Sequence, residues 1–236
     1  MSEDASDTTE GRLLQAAVGL FASQGFAATR VRQVCDQAEA NVAAVNYHFR
    51  SKRGLYDAAI DHARAASVER SPWVALDANR NFWAHDEPEV RLHRFVSMML
   101  DHALDEHGRP SELARILIHE MLDPTEAFER QVDVSIRRVF EALADICRQV
   151  RKAAAGRAPR SAAERQAIDA VVFLIGGQCM YPALVAGLPD PLYPGVSFDA
   201  DGRVALADRI TASALAQLQA VDAAPQTKRK TKPNTP

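Results

Sequence analysis

The sequence predicts an all-α protein, built from an N-terminal three-helix helix-turn-helix domain and a C-terminal helical bundle that dimerises. Ala and Leu are abundant and aromatic residues make up only 6 %, a composition that favours helices over a β-sandwich. Apolar residues recur at spacings of three and four along most of the chain, without an alternating strand pattern or a glycine-rich phosphate loop. With 47 % apolar residues, the chain can also bury a substantial core.

The first predicted helix begins near residue 9 and has one apolar face. Leu14, Ala17, Val18 and Phe21 follow one another at spacings of three and four, and Gly25 stands where a C-terminal cap is expected. Residues 1–8 before this helix are acidic and polar. We expect them to be disordered.

Two short helices follow, joined by a tight turn. Thr29 is predicted to cap the second helix, and Asn41 the third, which runs from Val42 to about Phe49. The apolar positions of the second helix fall at i, i+3, i+4 and i+7: Val31, Val34, Cys35 and Ala38. Residues 9–56 are therefore predicted to form a helix-turn-helix domain.

The C-terminal domain is predicted over residues 57–222. Ser51 can cap a fourth helix that continues into this domain towards Ser71, where Pro72 stops it. Further helices are predicted at Pro88, at Ser111, from Thr125 through Ile146 as one long helix, from 165 to 186 after a Ser161–Glu164 capping box, and from 204 to 221. Residues 223–236 form a basic tail that we expect to be disordered.

Charge is distributed unevenly along the chain. The formal net charge is −3, which excludes a wholly basic nucleic-acid binder. Residues 29–53 nevertheless contain five basic and two acidic side chains, a local charge of +3: Arg30, Arg32, Arg50, Lys52 and Arg53 against Asp36 and Glu39. This stretch can attract DNA phosphates.

Cysteine usage and the N-terminus indicate a cytoplasmic protein. Cys35, Cys147 and Cys179 have no spacing typical of a zinc site or a redox motif. The first ten residues lack the basic and apolar regions of a secretory signal. The longest apolar run, residues 171–186, is interrupted by Gly, Gln and Pro and predicts no membrane span.

A motif occupies the third helix and the residues after it. It reads Asn41-Val-Ala-Ala-Val-Asn-Tyr-His-Phe49, followed by Ser51-Lys52 and Leu55-Tyr56. Over about residues 9–60 the chain resembles the AcrR-type DNA-binding domain of TetR-family transcriptional regulators. The Asn-Tyr-His-Phe variant, with Pro182 and the Leu188-Pro189 segment, is similar to the CecR-like branch of that family.

The resemblance implies a ligand-responsive transcriptional regulator, most simply a repressor that a small organic inducer releases from its operator. It implies double-stranded operator DNA and a second copy of the chain as partners, and no cofactor. The family's Ala-Gly-Val-Ser turn reads Ala38-Glu39-Ala40-Asn41 here, and Ala43 replaces the glycine usual in the recognition helix. Because Asn can replace Ser as an N-cap, we expect the fold to be kept and the operator sequence to differ.

Roles in DNA binding are predicted from the faces of the third helix. Val42 and Val45 should bury against the second helix, leaving other positions for the major groove. Asn46 can pair with adenine and Arg32 with guanine, while methyl groups can contact thymine. The predicted contact residues, with phosphate contacts assigned to Thr29, Tyr47, His48 and Lys52, are Thr29, Arg32, Asn41, Ala43, Ala44, Asn46, Tyr47, His48 and Lys52.

A two-fold dimer on a palindromic site is predicted because one short recognition helix contacts too few bases for useful specificity. The last two helices are rich in small residues that let partner helices approach closely. These residues include Ala170, Gly176, Gly177, Ala212 and Ala216. Packing within one subunit is the alternative explanation for them.

A ligand cavity inside the C-terminal domain is predicted from bulky apolar side chains mixed with a few polar ones. Pro182 removes a backbone donor inside a helix, so a freed carbonyl could line this cavity. The predicted lining residues are Phe95, Met98, Met99, His102, His119, Phe140, Phe173 and Tyr181. Each of them could instead simply pack the core.

Two other classes of protein stay open from the sequence. His119-Glu120 begins like the metalloprotease His-Glu-x-x-His pattern, but position 123 is Asp, so the second histidine is absent. His93, His102 and His107 are further potential metal ligands of a helical hydrolase. A helical adaptor that does not bind DNA is the third possibility, although it leaves the basic stretch unexplained.

Overall fold

A computed structural model describes residues 8–66, 86–131, 136–188 and 193–223. Within these ranges the regular structure is helical, apart from one isolated bridge between Leu104 and Pro110, and the all-α prediction is confirmed. The helices are α1 (Thr9–Ala28), α2 (Val31–Gln37), α3 (Val42–Phe49), α4 (Lys52–Ala66), α5 (Pro88–Ala103), α6 (Glu112–Leu122), α7 (Glu126–Gln131), α8 (Arg137–Ala155), α9 (Ala162–Val185) and α10 (Ala200–Gln219), followed by a 3₁₀ turn at Ala220–Ala223.

The junction between α1 and α2 differs from the prediction by one residue. Gly25 has φ +75°, as a helix-ending glycine does, yet one more turn follows and α1 ends at Ala28. Thr29 closes α1, and Arg30 is the N-cap of α2, where its backbone N–H donates to the Gln33 side chain at 2.8 Å. The prediction of Thr29 as the cap of the second helix is therefore wrong.

The turn of the helix-turn-helix contains a strained residue. Glu39 has φ +50°, in the left-handed region that favours glycine, which is the residue usual at this point of the motif. The chain is held there by Ala40, whose N–H donates to the Cys35 carbonyl at 2.9 Å. Asn41 then caps α3 as predicted, since its side chain accepts from the Ala44 N–H at 2.9 Å.

One core joins α1–α4 to α6. Buried residues of the first four helices, among them Phe21, Val45 and Tyr56, form a continuous cluster with Leu113 and Ile116 of α6. This cluster extends along α4 as far as Ala63, beyond the boundary predicted after residue 56. The domain boundaries stay a prediction, because packing continues across this one.

A second core lies between α5, α8, α9 and α10. The Ser161–Glu164 capping box at the start of α9 is confirmed. The last helix begins at Ala200, four residues earlier than predicted, because the Asp199 side chain caps it by accepting from Gly202 N at 2.8 Å. The long helix predicted from Thr125 is described as α7 and α8, and residues 132–135 between them lie outside the described ranges.

Small residues connect the two cores. Ala103 and Leu104 at the end of α5 pack with Ala114 of α6 and Ala183 of α9, and Phe198 packs beside them. Since α6 also belongs to the first core, it contacts both halves of the molecule. By length and composition α9 is long and apolar enough to cross a membrane, but one face of it packs into the second core.

Candidate nucleic-acid interface

Helix α3 has one buried and one exposed face. Val45 and Phe49, one turn apart, are buried in the first core. Ala43, Asn46 and Tyr47 are exposed, and 84 % of the Tyr47 surface is accessible. A short helix that places polar and small side chains outward in this way has the geometry of a major-groove reader.

Two predicted positions on α3 exchange roles. Val42 was predicted to be buried, but it is 46 % exposed, because the inward face of so short a helix is already filled by Val45 and Phe49. Ala44 was predicted to face the groove, but it is partly buried and packs against the first core. The exposed apolar contact for a thymine methyl is therefore offered by Val42 together with Ala43.

Thr29 does not offer its hydroxyl to a phosphate. The residue is 1 % exposed, and its Oγ1 donates to the Gly25 carbonyl at 2.8 Å. Satisfying a carbonyl at the kink of α1 gives this buried hydroxyl a structural role. The predicted phosphate contact of Thr29 is wrong.

Lys52 is anchored at the end of α1. Its Nζ donates to the Ala27 carbonyl at 3.3 Å and lies 4.5 Å from the centre of the Phe26 ring. Partial desolvation lowers the pKa of the Lys52 amine. The anchored ammonium lies beside the start of α4, where a phosphate contact would position the domain without reading bases.

Polar residues at both ends of α3 complete the surface. Asn41 uses its side-chain oxygen for the cap, which leaves its amide N–H groups for DNA. His48 is exposed, with Nδ1 3.4 Å from Glu10 Oε2. Arg32 is exposed on α2, and Arg50, which the sequence analysis did not select, is exposed directly after α3 at φ +67°.

Comparison with known proteins assigns the family. Residues 13–59 match the family of bacterial regulatory proteins, tetR family, and residues 88–220 match the C-terminal domain of the HTH-type transcriptional dual regulator CecR. The chain belongs to the TetR family. Both resemblances seen in the sequence are thereby confirmed.

Curated relatives of this TetR-family protein are regulators. It is 28 % identical over 117 residues to the HTH-type transcriptional repressor NicS of Pseudomonas putida, covering 50 % of each chain. It is 38 % identical over 50 residues to the probable HTH-type transcriptional regulator YttP of Bacillus subtilis, covering 21 % of this chain and 24 % of YttP. These alignments span at most about half the length of either relative.

Solved structures share the fold over nearly the whole chain. A TetR-like transcriptional regulator from Rhodococcus sp. RHA1 superposes with a TM-score of 0.63 at 19 % identity, covering 92 % of this chain and 99 % of that one. HlyIIR, a hemolysin II transcriptional regulator, has a TM-score of 0.58 at 18 % identity, covering 87 % and 96 %. Because the matched families consist of regulators and not enzymes, the hydrolase alternative is rejected.

The predicted ligand residues do not surround one cavity. Phe95, Met99 and His102 are buried, and Phe95 and Met99 pack in the second core, while burial lowers the pKa of His102 to about 4. The other predicted residues lie elsewhere: Met98 is half-buried on α5, Phe140 packs against Gly176 of α9, His119 packs against Gly25 of α1, and Phe173 and Tyr181 are exposed on α9. The single internal cavity drawn from the sequence is wrong, since helical periodicity does not fix which faces meet.

The candidate metal ligands are also dispersed. Nε2 of His93 lies 2.9 Å from Asp208 Oδ1, and His107 lies 3.6 Å from its neighbour Glu106. In the described ranges, no group of three or more His, Cys, Asp or Glu side chains is placed to hold a metal ion. Glu120 is instead occupied by hydrogen bonds.

A buried carboxylate connects the DNA-binding half to α6. Glu120 is 2 % exposed and accepts a hydrogen bond from the Tyr56 hydroxyl of α4. It also accepts from Thr125, whose N–H lies 2.7 Å and whose hydroxyl lies 2.9 Å from the carboxylate oxygens. Burial and this hydrogen bond raise the pKa of Tyr56 well above its ordinary value, so the hydroxyl remains a donor.

Replacing Glu120 by Ala is expected to destabilise the protein by about 3 kcal/mol, because the buried Tyr56 hydroxyl and the Thr125 N–H lose their acceptor. Tyr56→Phe should cost about 1.5 kcal/mol, since Glu120 keeps its other donors. Thermal and urea unfolding of both variants and the double variant measure the coupling. Glu141→Ala, at an exposed position on α8, is the control. Full additivity of the two substitutions would contradict the contact.

Proposed function

We propose that this TetR-family protein is a sequence-specific DNA-binding transcriptional regulator that acts in the cytoplasm. The observation that carries the proposal is the exposed face of α3, where Val42, Ala43, Asn46 and Tyr47 point away from a firmly packed first core. Arg32, Arg50 and Lys52 add positive charge around that face. A helical adaptor would have no use for this arrangement.

A two-fold dimer is part of the proposal. The outer faces of α9 and α10 combine exposed apolar side chains with small residues. On α9 these are Ala170, Phe173, Leu174, Gly177, Tyr181 and Leu184, and on α10 Val204, Ala205, Ala212 and Ala216. Gly176, also predicted for this interface, is buried, and a Cβ there would lie 2.7 Å from Phe140 Cε1. The other four predicted small residues remain available to a partner.

Repression and small-molecule release complete the proposal. NicS carries the name of a repressor, and repression by occupancy of a palindromic operator is the simplest mode for a dimer of this kind. An inducer must bind the DNA-released form more tightly, and a preference of about 1 to 3 kcal/mol suffices in typical coupled systems. Helix α6, shared by both cores, is the element through which the sensing domain contacts α1 and α4.

Two substitutions at the DNA face test the proposal against a palindrome selected from random duplexes. Lys52→Ala should weaken binding to all sequences alike and reduce the salt dependence of affinity, because it removes a phosphate contact. Asn46→Ala should cost about 1 to 3 kcal/mol on the preferred site and relax the preference at one base pair per half-site. Footprinting titrations at fixed salt measure both.

Lys152→Ala on α8 is the matched control, since it removes one positive charge from an exposed site far along the chain. Thermal melts check that Lys52→Ala remains folded after losing its contact with Phe26. The DNA-binding assignment is rejected if both interface variants retain the operator affinity and base preference of the parent protein. The helical adaptor is favoured if the parent protein binds no duplex at all.

A further inference from the structure

A groove opens on the surface where α9 and α10 approach the segment 193–198. Its volume is about 540 Å³, within the range of sites for drug-sized molecules. The walls are apolar and aromatic, with Phe173 and Tyr181 from α9 and Tyr193 and Phe198 from the segment. None of the residues that line it belongs to the DNA-binding half.

The wall of this groove is held in place by Arg203 of α10. The Arg203 guanidinium lies 2.9 Å from Asp101 Oδ1 of α5 and donates to the Phe198 carbonyl at 3.2 Å. Phe198 in turn packs with the small residues that connect α6 to α9. The groove is therefore a built feature and not an accidental gap between side chains.

One cation in the groove lacks a protein partner. Arg209 lines it from α10, yet no hydrogen bond or ion pair joins Arg209 to any residue in the described parts of the chain. Asp201, on the lining of a smaller adjoining hollow that Arg209 also borders, is not bonded to it. The contrast with Arg203, two turns earlier and fully engaged, shows that arginine on this helix can be paired where the structure requires it.

Two hydroxyl groups accompany that cation. The Tyr181 and Tyr193 hydroxyls lie 3.2 Å apart and hydrogen-bond to each other, which joins α9 to the segment across the groove. A phenol pair retains a free donor or acceptor for a bound molecule. An apolar slot with one guanidinium and a phenol pair matches a ligand with an apolar body and one anionic group.

We propose that this groove binds an amphipathic organic anion, with an aromatic or other apolar body between Phe173, Tyr181 and Phe198 and its carboxylate or sulfonate on Arg209. The sensing role of the site rests on the proposed function. Binding reaches Phe198, which packs beside Ala114 of α6, and α6 packs against α1 and α4. The ligand thus contacts the helix that connects the two cores, although the groove lies outside either core.

The test uses two fluorescent probes with nearly the same aromatic body. 1-Anilinonaphthalene-8-sulfonate carries an anion, and N-phenyl-1-naphthylamine carries none. Arg209→Gln should weaken binding of the sulfonate about tenfold or more, as loss of a charge-assisted pair does, and leave the neutral probe within twofold. Gly177→Leu, which adds a side chain to open space in the groove wall, should weaken both probes. Lys152→Gln, an exposed charge removal elsewhere, should change neither.

Other outcomes overturn the site. If Arg209→Gln leaves sulfonate binding unchanged or weakens both probes equally, no anion is held there, and if Gly177→Leu affects neither probe, they bind elsewhere. If the probes bind only to the Ala212→Glu variant, a second copy of the chain fills the groove and the proposal fails. These titrations contain no DNA. A chain that binds the sulfonate as expected and binds no duplex contradicts the proposed function and leaves the site in place.

Discussion

Gly108→Ala is expected to destabilise the protein by about 3 kcal/mol or more, a shift in melting temperature of roughly 10 °C. Gly108 ends the turn between α5 and α6 at φ +73°, and an added Cβ would lie 2.4 Å from the Phe198 carbonyl oxygen. That contact is with backbone, so the side-chain methyl cannot be accommodated by a rotamer change. The segment 193–198 must move, and the groove with it.

Gly156→Ala is the matched control for this substitution. Gly156 closes α8 at φ +66°, and an added Cβ there meets nothing within 4 Å. It should cost only the left-handed conformation, about 1 kcal/mol. Thermal unfolding of both variants separates the two terms. Equal losses would show that the Gly108 backbone does not pack against Phe198 as described.

Ala212→Glu is expected to convert the proposed dimer into a monomer and to lower operator affinity by about 100-fold or more. Ala212 is exposed in the middle of α10, and burial of two carboxylates in an apolar interface costs several kcal/mol. At about 1.4 kcal/mol per factor of ten, this dissociates the subunits at micromolar concentration. A monomer then reads one half-site and loses the second recognition helix.

Light scattering and operator titration measure the two effects together. Ala153→Glu, an exposed alanine on α8, is the matched control and should leave both mass and affinity unchanged. Glu is a good helix former, so the variant should stay folded, as circular dichroism will show. A parent protein that is monomeric at micromolar concentration, or an Ala212→Glu variant that remains dimeric, would contradict the proposed interface.

The sequence predicted those features that depend on neighbouring residues. Asn41 caps α3, Ser111 caps α6 and Ser161 with Glu164 opens α9, because a cap needs only a side chain within three residues of the N–H it satisfies. The recognition helix was placed at Val42–Phe49 with both ends correct. The motif that these helices carry was sufficient to indicate the family.

Periodicity alone misjudged several side chains. It placed Val42 inside and Ala44 outside, although a two-turn helix has room for few inward positions, and these are taken by Val45 and Phe49. It treated Thr29 as a helix cap facing DNA, whereas the kink at Gly25 brings a carbonyl to the Thr29 hydroxyl. In both cases a neighbouring helix decided which face is buried.

What the sequence by itself determined is the all-α architecture, the helix-turn-helix and the residue types offered by α3, because hydrophobic spacing, caps and a local motif are properties of short segments. Only the tertiary structure decided that α6 belongs to both cores, that Glu120 is an acceptor for Tyr56 and not a metal ligand, and that Phe95 and Tyr181 do not share a cavity. These features join residues about 60 to 90 positions apart. Their arrangement depends on how helices pack, which helical periodicity constrains to a face but not to a partner.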